Sequence, residues 1–171
     1  MQDISWWKAG QSSGRQIERG RLLLANLLGI PSERFEQDFW LKKPYRKVLT
    51  AADRAHAAAD PSHPMNMMPE AVVRGLLVRK EPRPPRWLHD VDCTRYVNGR
   101  RTALPGSSGD GEVDATVVWD AFQHKGYSIR LVHPQQWHQP AYELCAYLQE
   151  YFGFPVGCSA YLTPPGEQGF P

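Results

Sequence analysis

The chain has 171 residues, which is enough for one domain with a substantial core, and its formal net charge is +2. This weak, scattered basic charge argues against sequence-specific binding to nucleic acid. The three cysteines, Cys93, Cys145 and Cys158, are widely spaced and form no CxxC motif. They therefore argue against a zinc knuckle and a disulfide framework, and they favour a reducing compartment. Because no apolar run approaches the ~18 residues that span a bilayer, no membrane partner is predicted.

The first half of the chain predicts helices. Apolar residues recur at helical spacing from Ser13 to Leu28, and Ser32 is the predicted N-cap of a second helix that ends before Pro44. The segment 50–64 shows no clear amphipathic order. A short helix is predicted over 69–79. The run "EPRPPR" that follows is a linker, because proline fits neither a helix interior nor a central strand.

The second half predicts strands alternating with helices. Asn98-Gly99 is the predicted turn of a β-hairpin, and Asp114 is the predicted N-cap of the next helix. Residues 127–133 alternate as a strand, Pro140 begins another helix, and "SAYLTPPG" reads as a closing strand. The predicted fold class is therefore α+β. The predicted segments are 1–48 (helical), 49–86 (an irregular and helical connector) and 87–171.

Three groups of residues could carry chemistry. His133 and His138 lie in the loop sequence "HPQQWH", whose spacing suits a surface or capping role better than metal binding. Cys145 and Cys158 could be nucleophiles, but the default for such thiols is burial as small apolar groups.

The third group lies on two strands. Arg130 is on the strand face opposite Ile129 and Leu131, while Tyr161 and Thr163 share one face of the last strand. Periodicity alone leaves two alternatives open for this face. It is either an inward-facing ligand site or a solvated outer surface.

Six stretches resemble the ribosomal oxygenase branch of the JmjC family, in the order and approximate spacing of that family. They are "FEQDFWLKKP", "VDCTRYVNGRR", "VVWDAF", "SIRLVHPQ", "LQEYFGFPVG" and "AYLTPPGEQGFP", of which the last is the most specific. The resemblance implies that segment 87–171 is the beginning of an incomplete JmjC (cupin-like) domain, a double-stranded β-helix. It also implies an oxygenase that depends on Fe(II) and 2-oxoglutarate, acting as a histidyl hydroxylase or a histone lysine demethylase.

The resemblance implies where the site residues lie. The family's iron-binding His-x-Asp pair and its 2-oxoglutarate lysine would follow Pro171, so the chain is interpreted as an N-terminal fragment without catalytic or metal-binding residues. Neither cofactor is expected to bind it. Arg130, Ser159 and Tyr161 match substrate-binding positions of the family. Ser159 stands where the family usually has asparagine, which puts the choice of substrate in question.

The resemblance also implies partners and a location. These are a ribosomal protein or histone tail as substrate, a homodimer in the complete protein, and placement in the nucleus and nucleolus. The alternative hypothesis is a non-catalytic protein-interaction module derived from the same family. The chain on its own is expected to be unstable, because missing strands would leave open sheet edges.

Overall fold

The computed structural model describes residues 14–48, 50–59, 63 and 66–168. Along the chain the elements are α1 (Gly14–Leu28), α2 (Ser32–Asp38), α3 (Ala51–Ala59), α4 (Glu70–Leu77), β1 (Val91–Val97), β2 (Arg100–Ala103), α5 (Ala115–Lys125), β3 (Ser128–Val132), a 3-10 helix (Pro134–Gln136), α6 (Gln139–Phe152) and β4 (Ser159–Leu162). This inventory confirms the predicted α+β class.

Contacts divide the chain into two compact units. One comprises residues 1–66 and 143–156, the other residues 67–142 and 157–171, and the boundary falls within α6. The predicted segments 1–48, 49–86 and 87–171 stay a prediction. Among the described residues, no helix has both the length and the apolar character needed to cross a membrane.

In the first unit, α1 and α2 confirm the two predicted N-terminal helices, but the predicted cap is wrong. The N-cap of α2 is Pro31, and no side chain caps the helix. Ser32 is instead the buried first residue of the helix, and its hydroxyl donates to a carboxylate oxygen of Glu33 at 3.2 Å. Because Ser32 already lies inside the helix, its side chain is not at the cap position, from which an oxygen accepts from the free backbone N–H groups.

The segment 50–64, read from the sequence as irregular, contains α3. The Thr50 and Asp53 side chains cap this helix reciprocally: the Asp53 carboxylate accepts from the Thr50 N–H at 2.9 Å, and the Asp53 N–H donates to the Thr50 hydroxyl at 3.1 Å. Hydrogen bonds from Thr50, joined by one from Lys47, lower the pKa of Asp53 to about 2. The sequence "TAAD" contains this capping pair, so the start of the helix could have been predicted.

A glycine allows α1 to approach α6 closely. Gly20 is buried in α1, and a Cβ atom placed on it would meet the backbone carbonyl of Tyr147 and would lie 2.8 Å from the Cβ of Tyr151. No side chain fits at this position without moving one of the two helices. In the same unit, the rings of Trp40 and Phe152 stack with centroids 4.7 Å apart.

The second unit is built on a four-stranded antiparallel sheet with the strand order β2-β1-β3-β4. The predicted hairpin is confirmed. Asn98 and Gly99 have φ angles of 51° and 73°, and they close the β1–β2 turn with Val97 opposite Arg100. Both turn positions require the left-handed region, which glycine and asparagine adopt most readily.

One face of this sheet forms the core. Val91, Cys93, Ile129 and Leu131 are completely or almost completely buried. Residues of α4 and α5 belong to the same cluster, among them Val73, Leu76, Leu77, Val118 and Trp119. The Asp114 cap of α5 is also confirmed, because its carboxylate accepts from the N–H groups of Thr116 and Val117 at 2.9 and 3.2 Å.

A buried acid joins the proline-rich linker to the sheet. The Asp90 carboxylate accepts from the Arg86 N–H at 2.8 Å and from two guanidinium nitrogens of Arg83, and it lies 3.4 Å from Nη2 of Arg79. Its backbone carbonyl accepts from the Val132 N–H at 2.8 Å. Burial alone would raise the pKa of Asp90. The hydrogen bonds and positive charges outweigh it and hold the pKa below the ordinary value.

Candidate functional site

The second face of the sheet carries the three residues predicted to bind substrate. In β3, Ile129 and Leu131 point into the core, so Arg130 between them points to the opposite face. The β3–β4 register places Arg130 opposite Tyr161 and Val132 opposite Ser159. Arg130, Ser159 and Tyr161 therefore share one face, here called the polar face. Their role in binding substrate stays a prediction.

Arg130 and Tyr161 are in contact. The guanidinium carbon of Arg130 lies 5.7 Å from the ring centroid of Tyr161, a cation–π geometry. Tyr161 is 54% exposed, so its ring remains accessible in the described part of the chain. The Nε of Arg130 is buried and has no hydrogen-bond partner there. An arginine held beside an exposed ring is suited to bind an acceptor oxygen through its planar set of N–H donors.

The predicted face of Thr163 is confirmed by a hydrogen bond. The hydroxyl of Ser128, the first residue of β3, donates to the hydroxyl of Thr163, which follows β4, at 3.0 Å. Ser128 and Thr94 are buried although they are polar and lie on the polar face. Beyond β4, the carbonyl of Gln168 accepts from the Tyr96 N–H at 3.2 Å, so the chain after β4 returns to β1. This end of the polar face is therefore covered, and the end with Arg130, Ser159 and Tyr161 is the accessible one.

Two charged residues missed in the sequence complete this face. Asp92 in β1 lies directly opposite Arg130 in the β1–β3 register, and its carboxylate pairs with Arg101 of β2. The signals were present: Asp92 alternates with the buried Val91 and Cys93. The Asn98-Gly99 turn fixes the register that puts Arg101 beside β1.

The loop "HPQQWH" contacts the residue that precedes β4. The Gln135 side-chain oxygen accepts from the Cys158 N–H at 3.4 Å and lies 3.2 Å from its sulfur. Nε2 of His138 lies 2.9 Å from the Met67 carbonyl oxygen. His133 has a left-handed φ of 52° and precedes the 3-10 helix. His133 is exposed, which agrees with the surface interpretation, but its side chain makes no capping hydrogen bond, and His138 is half-buried. Gln135 was not singled out in the sequence, and no local signal marks it.

The cysteines differ in their surroundings. Cys93 is fully buried in the core, and burial raises its pKa to about 12, with a smaller contribution from Asp92. A thiol that stays protonated at neutral pH is a poor nucleophile. Cys145 is buried and Cys158 is partly buried. Burial of Cys145 agrees with its interpretation as a small apolar group, whereas Cys158 is only partly buried.

Three relatives show which known proteins this chain is similar to. A bifunctional lysine-specific demethylase and histidyl-hydroxylase NO66 of Branchiostoma floridae is 44% identical over 81 residues, which is 47% of this chain and 13% of that protein. NO66 of Drosophila pseudoobscura pseudoobscura is 30% identical over 155 residues, 90% of this chain and 15% of that protein. Ribosomal oxygenase 1 of Bos taurus is 31% identical over 176 residues, 94% of this chain and 25% of that protein.

These relatives define a class of oxygenases. The chain is homologous to the ribosomal oxygenase branch of the JmjC family, which confirms the resemblance predicted from the sequence. It spans between 13% and 25% of the length of these three relatives. No protein-family model matches the chain.

Proposed function

We propose that this chain forms the substrate-side part of an oxygenase that depends on Fe(II) and 2-oxoglutarate and oxidises a C–H bond in a protein side chain. The observation that carries the proposal is the β3–β4 register, which brings Arg130 and Tyr161 together on an accessible face in a chain homologous to named oxygenases. The homology supplies the reaction class, and the polar face supplies the place where substrate would bind.

Each of the three residues has a distinct task in this proposal. Arg130 donates hydrogen bonds to a backbone carbonyl of the bound peptide, for which its planar set of N–H donors is suited. The exposed ring of Tyr161 holds the guanidinium in place and contacts the substrate side chain. Ser159 offers one short hydroxyl, which reaches less far than the amide usual in the family and selects a different substrate side chain.

The described residues do not themselves fit an iron site. Among them, no group of three or more His, Cys, Asp or Glu side chains could hold a metal ion. Fe(II) requires several such ligands in a fixed geometry. In the proposal, iron and 2-oxoglutarate are held by residues outside the described part of the chain.

The proposed substrate is a histidine of a ribosomal protein, or else a methyl-lysine of a histone tail. Both reactions appear in the name of the NO66 relatives, and the ribosome appears in the name of the bovine relative. We also propose a homodimer and placement in the nucleus and nucleolus for the complete protein. Neither proposal rests on a contact of the polar face.

A tiled peptide array tests the proposal. The protein encoded by the full reading frame that carries this sequence is incubated with Fe(II), 2-oxoglutarate and peptides covering the ribosomal proteins and methylated histone H3 tails of the source organism. Mass spectrometry should find one peptide that gains an oxygen atom or loses a methyl group. The Arg130→Gln variant should lose this activity, and Arg100→Gln, a matched loss of an exposed charge, should retain it. Peptide binding without any oxidation would favour the non-catalytic interaction module.

A further inference from the structure

The charges on the polar face are paired in an unexpected way. Asp92 is the cross-strand neighbour of Arg130, and opposite charges at directly opposed positions of an antiparallel pair normally attract. The Asp92 carboxylate is instead paired with Arg101, which reaches it from β2. The Asp92 side chain is 13% exposed, whereas that of Arg101 is 46% exposed. A half-exposed arginine thus neutralises a nearly buried acid.

This pairing leaves Arg130 without a carboxylate. No acid in the described part of the chain lies within ion-pair distance of Arg130, whose recorded interaction there is with the Tyr161 ring. Its Nε is buried without a hydrogen-bond partner, and a buried donor left unused destabilises the fold. Within the described residues the guanidinium thus has no anionic partner, which leaves its charge available to an acceptor oxygen.

We propose that Arg101 is a positioning residue that sequesters the Asp92 carboxylate and so keeps the donors of Arg130 open for a carbonyl oxygen of the bound peptide. This inference rests on the proposed function, in which Arg130 contacts substrate. Arg101 acts on the substrate only through Asp92 and Arg130. Without Arg101, the nearly buried Asp92 has Arg130 as its cross-strand cation, and the two close into an ion pair that competes with the peptide.

The probe is the fluorescein-labelled ribosomal or histone peptide that is turned over fastest on the array, and its affinity is measured by fluorescence polarisation. Arg101→Gln should weaken binding roughly tenfold to hundredfold, the loss expected for a hydrogen bond to a charged group. Asp92→Asn alone should leave binding nearly unchanged. Asp92→Asn combined with Arg101→Gln should restore it, because no carboxylate remains to capture Arg130. Arg100→Gln, which removes the exposed charge next in sequence, is the matched control.

A second readout needs no peptide. Phenylglyoxal modifies accessible arginines, and peptide mapping by mass spectrometry reports how far Arg130 reacts. Arg130 should react in the wild type, be protected in Arg101→Gln, and react again in the double variant. Circular dichroism establishes that each variant is folded. If Arg101→Gln alone is unfolded, the double variant is compared with Asp92→Asn instead.

The outcomes separate the two proposals. Unchanged peptide binding in Arg130→Gln would overturn the proposed function. Weak binding in Arg130→Gln together with wild-type binding in Arg101→Gln would overturn only the role of Arg101. Weak binding in Arg101→Gln that Asp92→Asn fails to restore would also overturn it, because Arg101 would then contact the peptide directly or support the fold.

Discussion

Replacement of Asp90 by asparagine should destabilise the second unit strongly. The substitution keeps the shape of the side chain and an acceptor for the Arg86 N–H, but it removes the charge that faces Arg79 and Arg83. The side chain of Arg79 is only 9% exposed, so its guanidinium would remain buried without a counter-ion.

The magnitude follows from the burial of the two arginines. Breaking a buried ion pair by removing one partner costs about 3–5 kcal/mol. Arg83 is half-exposed and can return to water, which places the expected loss near the lower end, about 3 kcal/mol. Since domains are stable by only about 5–15 kcal/mol, this is a large fraction of the total.

Equilibrium unfolding in urea, followed by tryptophan fluorescence on the protein from the full reading frame, measures the loss. Asp120→Asn is the control, because Asp120 pairs with Lys125 at the surface, where both side chains are about half exposed. Its loss should be small beside that of Asp90→Asn, because water screens an exposed pair. If Asp90→Asn and Asp120→Asn lie within about 0.5 kcal/mol of each other, the reasoning about the buried cluster is refuted.

The Asp90→Asn variant should also change how the stability of the protein depends on pH. The pKa of Asp90 is lowered from its ordinary value of 3.8, so the ionised acid stabilises the folded state fully above that pH. As the pH falls through the lower value of the folded state, this contribution disappears. The difference in stability between wild type and Asp90→Asn should therefore shrink in acid. A difference that stays constant down to the acid-unfolding range would show that the charge of Asp90 is not what matters.

Three further predictions concern packing, a thiol and a helix cap. Gly20→Ala should lower the free energy of unfolding by about 1–3 kcal/mol because of overpacking against Tyr147, whereas Gly75→Ala, with open space around it, should raise it by about 0.5–1 kcal/mol. Cys93 should resist iodoacetamide in the folded protein and react in urea, and its raised pKa of about 12 should make stability fall as the pH rises above 9.0, because the unfolded thiol ionises first. Asp114→Ala should cost about 1 kcal/mol in urea unfolding, and a cost near zero would show that the α5 cap contributes nothing.

Much of the fold was predictable because its determinants are local. The Asn98-Gly99 turn, the Asp114 cap and the alternation around Arg130 each depend on a few adjacent residues, and the structure confirms all three. The predicted Ser32 cap was wrong because the helix begins one residue earlier than expected, so that Pro31 takes the cap position and Ser32 is the first helical residue. The helix at 51–59 was missed because its alanine-rich sequence has a weak apolar stripe, and its start is marked by the Thr50–Asp53 pair instead.

The site was predictable only in part. Alternation could place Arg130 and Tyr161 on particular faces of their strands, but it could not say that the two strands are neighbours with these residues opposed. That information lies in the pairing of segments about thirty residues apart. The Asp92–Arg101 and Gln135–Cys158 contacts are of the same kind, since each joins side chains whose approach is decided by the register of the sheet.

The β3–β4 register links the stability of this sheet to its proposed function. A shift of one residue between β3 and β4 would turn Tyr161 toward the core and an apolar neighbour toward the polar face, since side chains alternate with a period of two. Contacts at both ends oppose such a shift: Gln135 holds Cys158 before β4, and Ser128 binds Thr163 after it. Between these two contacts, Arg130 lies opposite Tyr161. The residues that fix the register are thus outside the proposed binding pair, and their substitution should impair substrate binding without removing any group that touches the substrate.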